Sequence, residues 1–431
     1  MCPRWCRRGS TSINSNNSGG DEMKQAILWL GLTCALLLTA CGGGGGGGVG
    51  SVVPPDNGGS TANSVTMTID GGPVANVYQI NMPYVSVTVC APGGSQCQTI
   101  SRVLVDTGSS GLRLLASAVG GSTLGSLPGV TTNSRQLAEC MQFASGFTWG
   151  SVRYADVKMA GKTASSLPVQ IISDPAYSFI PAACSGVGNN LGSLSALKAN
   201  GILGVGLRQQ DCGSNCVNFS NNGYYYACPT ALTCQQAQAA ASLQVSHPLV
   251  GFAGDNNGVM LQLPAVAISG APSAAGTLYF GVGTQSNNAL GSAKAFPTTL
   301  DGNGVDAITT SYKSLSYSSF LDSGSNGLFF PDATIATCVV GSSTWFCPGG
   351  TVNLNASLSG GGNSSAVAFN LGNAGTLLSQ GYSALPAVGA PASGFLSSYF
   401  DWGLPFFYGR NVYIGLEGKS NPLGSGPMFL F

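Results

Sequence analysis

Charge is what this sequence has least of: 16 basic and 16 acidic side chains make 7% of 431 residues, against about a quarter in an ordinary soluble domain. The formal net charge is zero, so no basic surface is on offer to nucleic acid or anionic lipid. Histidine is nearly absent. The one present, His247 in "SHPLVGF", would have to carry a Ser-His-Asp site alone, and it reads as a structural residue at the start of an apolar strand. Neither "GVGTQ" nor the poly-glycine run is followed by Gly-Lys-Ser/Thr, which excludes a phosphate loop. Long segments of helical period are also scarce, with "PTALTCQQAQAAASLQ" (229–244) the best helix candidate and "LGSLSALKANG" a shorter one ending at Gly201.

What is present is apolar and rich in turns. Hydrophobic residues make up 44% and glycine numbers 64, enough for one large or two medium domains with real cores. Polarity therefore comes from Ser, Thr, Asn and Gln, as in a β-rich exported protein. Short runs such as "VSVTVC", "RVLVD", "VQIIS", "GILGVGL" and "RNVYIGLEG" are punctuated about every ten residues by Gly, Pro, Asn and Ser. That spacing predicts a mostly β fold with few helices.

The long apolar run "AILWLGLTCALLLTA" lies in a segment, Met23 to Cys41, with a lysine before it and a cysteine after it, the layout of a secretory signal. Its end, "LTAC" (Leu38 to Cys41), resembles the lipobox of bacterial lipoproteins, and the resemblance implies lipidation of Cys41. Gly42 follows, which by the same resemblance favours the outer membrane, with the folded part facing the periplasm or the exterior. Residues 1–22 carry no apolar periodicity and precede a better start at Met23, as a start assigned too far upstream would leave. The glycine-rich stretch 42–64 reads as a flexible tether.

Of fourteen cysteines, setting aside Cys2, Cys6, Cys34 and Cys41 leaves ten, an even number that implies disulfides in an exported chain. Cys90–Cys97 and Cys338–Cys347 would each close a short loop, and Cys140–Cys184 is a further pairing. The cluster Cys212, Cys216, Cys228 and Cys234 has three, eleven and five intervening residues. This is not the paired spacing of a zinc site, so disulfides are expected and no metal.

One sentence is written twice, 216 residues apart: "RVLVDTGSSGLRLL" around Asp106 and "SSFLDSGSNGLFF" around Asp322. Each delivers an aspartate from an apolar strand into a turn of hydroxyl residue, glycine and serine. The glycines Gly108 and Gly324 let backbone N–H groups approach the carboxylate, and Thr107, Ser109, Ser323 and Ser325 supply hydroxyl donors. Two such carboxylates brought together cannot both ionise, so one proton is shared. A dyad of this kind can deprotonate water and protonate a carbonyl in one step, without cofactor, metal or covalent intermediate.

These paired signatures resemble the pepsin-like aspartic peptidases, in which each of two β-rich lobes supplies one Asp-Thr/Ser-Gly-Thr/Ser loop. "NGILGVGL" (200–207), "GTLYFGVGT" (276–284), "CVVGSSTWFC" (338–347) and "GLPFFYGRNVYIGLEG" (403–418) are similar to that family's companion segments. The resemblance implies two lobes, 65–270 and 271–431, related by an approximate twofold axis. It also implies Asp106 and Asp322 as catalytic carboxylates, with Thr107 and Ser323 bracing the loops and Ser109 and Ser325 bonding the outer oxygens. In "SGFTWGSVRYADVKMAG" (145–161) it implies a substrate-covering flap, with Trp149 and Gly150 where tyrosine-glycine is usual. Asn200 replaces a common aspartate.

Two functional expectations follow. One is an aspartic endopeptidase acting on extended peptides or proteins. The other is a catalytically silent lipoprotein that keeps the fold to bind peptide or polysaccharide. A glycosidase could also use two carboxylates on a β scaffold, but it does not require the repeated loops. Aromatic stretches such as "YFDWGLPFFYG" are expected to pack the core rather than bind sugar.

Overall fold

The computed structural model describes residues 63–75 and 77–431. The signal region, Cys41 and nearly all of the expected tether lie outside the described residues. Asn63 and Ser64, the last two tether positions, instead join the folded body. Ser64 opens the strand Ser64–Ile69, and the buried Asn63 amide donates to Phe280 O at 3.1 Å.

The fold is mostly β, as composition and punctuation predict. A 16-stranded sheet and an 8-stranded sheet carry nearly all of it. The large sheet runs across the expected boundary at 270/271. Ala274–Phe280 pairs antiparallel with both Ser64–Ile69 and Gly258–Gln262, and Gly258–Gln262 pairs in turn with Asn411–Gly415. C-terminal strands are thus sewn into the sheet that carries the first aspartate, while the smaller sheet carries the second. Where a strand has one wet face, the sequence alternates: in Asn363–Leu371, Val367, Phe369 and Leu371 are buried between more exposed neighbours. Where both faces are covered the strand is apolar throughout, as in Gly201–Val205, buried at every residue.

The aromatic stretch does pack the core. Phe400 stacks on Phe330 and Trp402, with centroids 4.6 and 4.4 Å apart, and Phe406 and Phe407 are buried beside them. All ten cysteines of the body form five disulfides: 90–97, 140–184, 212–216, 228–234 and 338–347.

The helix expected over 229–244 is absent. The segment forms the end of the strand Tyr225–Thr230, a second strand Thr233–Gln236, and one 3-10 turn at Ala241–Leu243. The physical reason is tertiary. Cys228–Cys234 closes the hairpin, and Tyr225–Thr230 extends the large sheet beside Arg135–Phe143, so sheet pairing overrides the alanine and glutamine propensity. The shorter helix exists as Leu194–Leu197, but Lys198 ends it in a left-handed conformation (φ 60°), and Gly201 already begins a strand. Among the described residues no helix is long and apolar enough to cross a membrane.

Candidate active site

Asp106 is the last residue of the strand Cys97–Asp106, and Asp322 immediately follows Leu315–Leu321. Each loop folds back under its own carboxylate. Gly108 N–H donates to Asp106 Oδ1 at 2.8 Å, and Ser109 Oγ donates to Asp106 Oδ2. In the second loop Gly324 N–H donates to Asp322 Oδ1 and Ser325 Oγ to Asp322 Oδ2, both at 2.8 Å. The serines therefore serve the carboxylates.

Thr107 and Ser323 do something else: they tie the loops together. Thr107 Oγ1 donates to Leu321 O (2.7 Å) and accepts from Ser323 N–H (2.8 Å). Reciprocally, Ser323 Oγ donates to Val105 O (2.8 Å) and accepts from Thr107 N–H (3.1 Å). Four buried hydrogen bonds cross between the loops with twofold reciprocity, and each hydroxyl satisfies a backbone donor and a backbone acceptor.

A strand passes behind each loop in the same way. Gly201–Val205 runs parallel to the Asp106 strand and antiparallel to Ser110–Leu115, placing Gly204 opposite both Asp106 and Gly111. In the smaller sheet Tyr399–Trp402 runs parallel to Leu315–Leu321 and antiparallel to Leu328–Phe330. "GILGV" and "YFDW" are thus counterparts in register, a relation their sequences do not betray.

The two carboxyls meet at the glycines: the Cβ position of Gly324 lies 2.6 Å from Asp106 Oδ1 and 3.1 Å from Asp322 Oδ1. Burial, and then the Asp106 charge beside it, push Asp322 up to about 7, against the pull of its bonds from Ser325 and Gly324. The glycines are required here by space. A Cβ on Gly108 would stand 2.8 Å from Asp322 Cγ, and one on Gly324 would stand 2.6 Å from Asp106 Oδ1.

Trp149 is not placed to cover a substrate. It is 2% exposed, its indole N–H donates to Tyr177 O at 2.8 Å, and its ring meets Tyr226 edge-on. The hairpin's turn lies at Phe143–Gly146, so the aromatic-glycine pair sits well inside the strand, in a core wall. Gly150 has a packing reason instead: a Cβ there would fall 1.8 Å from Ile171 O on the neighbouring strand. The hairpin is also braced, by Tyr225–Thr230 along its outer edge and by Cys140–Cys184. His247 is 1% exposed, and its Nδ1 accepts from Leu249 N–H. Burial lowers it to about 3, as befits a neutral structural residue.

Three supporting groups escaped the sequence reading. Arg113 is fully buried and donates to Ser110 O just past the first loop, while bonding Glu139 and Asp211 at 2.7 and 2.8 Å. Asn81 donates to Asn326 O (2.9 Å) and accepts from Tyr408 O–H (2.9 Å), linking the chain ahead of Pro83–Cys90 to the end of the second loop. Asp401 is fully buried, and its Oδ2 lies 2.8 Å from Ser325 Oγ. In a chain with so little charge, a charged residue inside an apolar run ("GLRLL", "YFDWG") was the available signal for two of the three. Asn81 carried none.

Among solved structures, the chain is similar to the crystal structure of an aspartic proteinase from Irpex lacteus, at 18% identity and a TM-score of 0.49, covering 85% of this chain and 96% of that one. No curated protein sequence matches it. A family model described as "Protein of unknown function (DUF3443)" matches residues 59–431, and the chain belongs to that family.

Proposed function

We propose that the protein is an aspartic-type endopeptidase whose catalytic groups are Asp106 and Asp322. The observation that carries this reading is the meeting of the two carboxyls at Gly324, whose Cβ position lies 2.6 Å from Asp106 Oδ1 and 3.1 Å from Asp322 Oδ1, on loops tied by four reciprocal hydrogen bonds through Thr107 and Ser323. Asp322, raised in pKa, holds the shared proton. A water lodged between the pair gives a proton to anionic Asp106, and its oxygen adds to the scissile carbonyl carbon. Asp322 protonates the carbonyl oxygen in the same step. The C–N bond then breaks as Asp106 passes its proton to the amine nitrogen and a hydroxyl of the diol returns one to Asp322, and no covalent enzyme intermediate forms. Extended peptides or proteins are the substrate class.

The same reading places the protein at the cell envelope, lipidated at Cys41 and anchored in the outer membrane. The lipobox sequence supports this, as do five disulfides, which persist in oxidising compartments.

A pH dependence follows from the shared proton. With Asp322 near 7, cleavage is expected to fall as pH rises through neutrality, by about tenfold per unit beyond the limb. Initial rates on a peptide from pH 4 to pH 9 measure it. A rate still climbing at pH 9 would contradict the assignment. Separately, Gly324→Ala puts a methyl into the Asp106 carboxyl and is expected to abolish cleavage while lowering Tm, as read by peptide assay and thermal unfolding.

A further inference from the structure

Ser325 Oγ lies 2.8 Å from Asp322 Oδ2 and 2.8 Å from Asp401 Oδ2. A hydroxyl carries one hydrogen, so it can donate to only one of two carboxylate oxygens. The other contact is attractive only if that carboxyl brings its own proton.

The surroundings decide which one does. Asp401 is fully buried, and no lysine or arginine pairs with it among the described residues. Its Oδ1 has no hydrogen-bond partner there either. The register positions beside it on both flanking strands are apolar, Phe320 and Phe329, and the charges that act on it are those of Asp322 and Asp106. An ionised carboxylate in such a place has nothing to stabilise it. Asp322, in contrast, also accepts from Gly324 N–H.

The register makes the feature specific to the second lobe. Asp401 stands beside Phe320, two residues before Asp322, and the matching place beside Leu104, two residues before Asp106, holds Ile202. One lobe has an apolar side chain behind its serine where the other has an acid.

We propose that Asp401 is a third carboxyl of the site, held protonated, which donates to Ser325 Oγ and thereby commits the single Ser325 hydrogen to Asp322. It is a positioning residue, acting on Asp322 through Ser325. Burial, and then the Asp322 charge, hold its carboxyl well above the usual carboxylate range, in keeping with that role. Its effect on rate rests on the peptidase reading; its protonation does not.

The test has two arms, both on the full chain. Infrared difference spectra at pH 7 compare wild type with Asp401→Asn and Asp322→Asn. The expected result is a protonated-carboxyl C=O band lost in Asp401→Asn and kept in Asp322→Asn. Peptide cleavage is then measured against pH for Asp401→Asn and Asp401→Leu. Asn, whose N–H₂ replaces the carboxyl proton without a change of charge, should keep kcat/KM within about threefold and leave the pH limbs in place. Leu, the apolar analogue of the first lobe, should lose on the order of tenfold. No band lost in Asp401→Asn, or a shifted limb in that variant, would mean an ionised Asp401 and overturn the proposal. So would a Leu variant with wild-type rates. If the wild type cleaves nothing, the peptidase reading fails, and the infrared band still decides the proton on Asp401.

Discussion

Asp322→Asn is expected to lower kcat by roughly 10²- to 10⁴-fold, the range assigned to positioned acid–base groups, while leaving the protein folded. Asparagine keeps the shape, its one amide oxygen can accept from Gly324 N–H while its N–H₂ meets Ser325 Oγ, but it has no acidic proton to give a carbonyl. The same change should affect stability with a definite sign. The folded-state value of Asp322 is raised, to about 7, above the ordinary carboxylate value of about 3.9. The folded protein therefore binds this proton more tightly than the unfolded chain. Its contribution to stability is fully present below the unfolded value and is lost as pH rises through about 7. At pH 8 the wild type carries an ionised, partly buried Asp322 against Asp106, and the variant does not. Tm of Asp322→Asn should then exceed wild type at pH 8 by on the order of 2 °C, with the difference shrinking or reversing near pH 4. Thermal unfolding at the two pH values reads this directly. Comparing variant with wild type at each pH cancels His247, whose lowered value removes stability as pH falls from about 6.5 toward 3. A variant with undiminished kcat would show that Asp322 is not the acid.

Loss of the brace should be the largest purely structural effect. Thr107→Val leaves Leu321 O and Ser323 N–H without their partner, and Ser323→Ala does the same to Val105 O and Thr107 N–H. Two buried backbone groups unpaired per substitution cost about 2–6 kcal/mol, at about 1–3 kcal/mol each. The four bonds form one network, so the double variant should fall short of the sum by roughly 0.5–3 kcal/mol. Urea unfolding with an unchanged m-value reports these costs. Cleavage should suffer as well, because the carboxyls lose their mutual alignment, and kcat should fall more than KM rises. Surface-like costs below about 0.5 kcal/mol would show that the loops are held together by something else.

How far the sequence revealed this arrangement depended on the range of each interaction. The strand-to-loop signatures around Asp106 and Asp322 were legible because their chemistry is local: the donors to each carboxylate come from the next three residues. The pairings 90–97 and 338–347, each closing a short loop, were legible too; 140–184, 44 residues apart, had no local signal behind it, and the remaining two close small loops. What escaped depends on neighbours distant in sequence. The 229–244 segment has a helical composition, but the edge of Arg135–Phe143 takes it as a strand. Trp149 matched an aromatic-glycine pattern, yet the hairpin turns at Phe143–Gly146 and leaves it in the wall. Asp401 stood in plain view inside "YFDWG", read as core aromatics. Only the strand register shows that it faces Ser325 from the place occupied by Ile202 in the other lobe.

The central claim, that Asp106 and Asp322 together activate water against a peptide bond, is tested most directly by one incubation. The full chain and its Asp106→Asn, Asp322→Asn double variant are mixed with a diverse peptide library from pH 3 to pH 8, with and without a statine-type inhibitor. Products are identified by mass spectrometry. Cleavage is expected from the wild type alone, suppressed by the inhibitor and falling off above neutral pH. Cleavage by the double variant, or none by folded wild type at any pH, would contradict it.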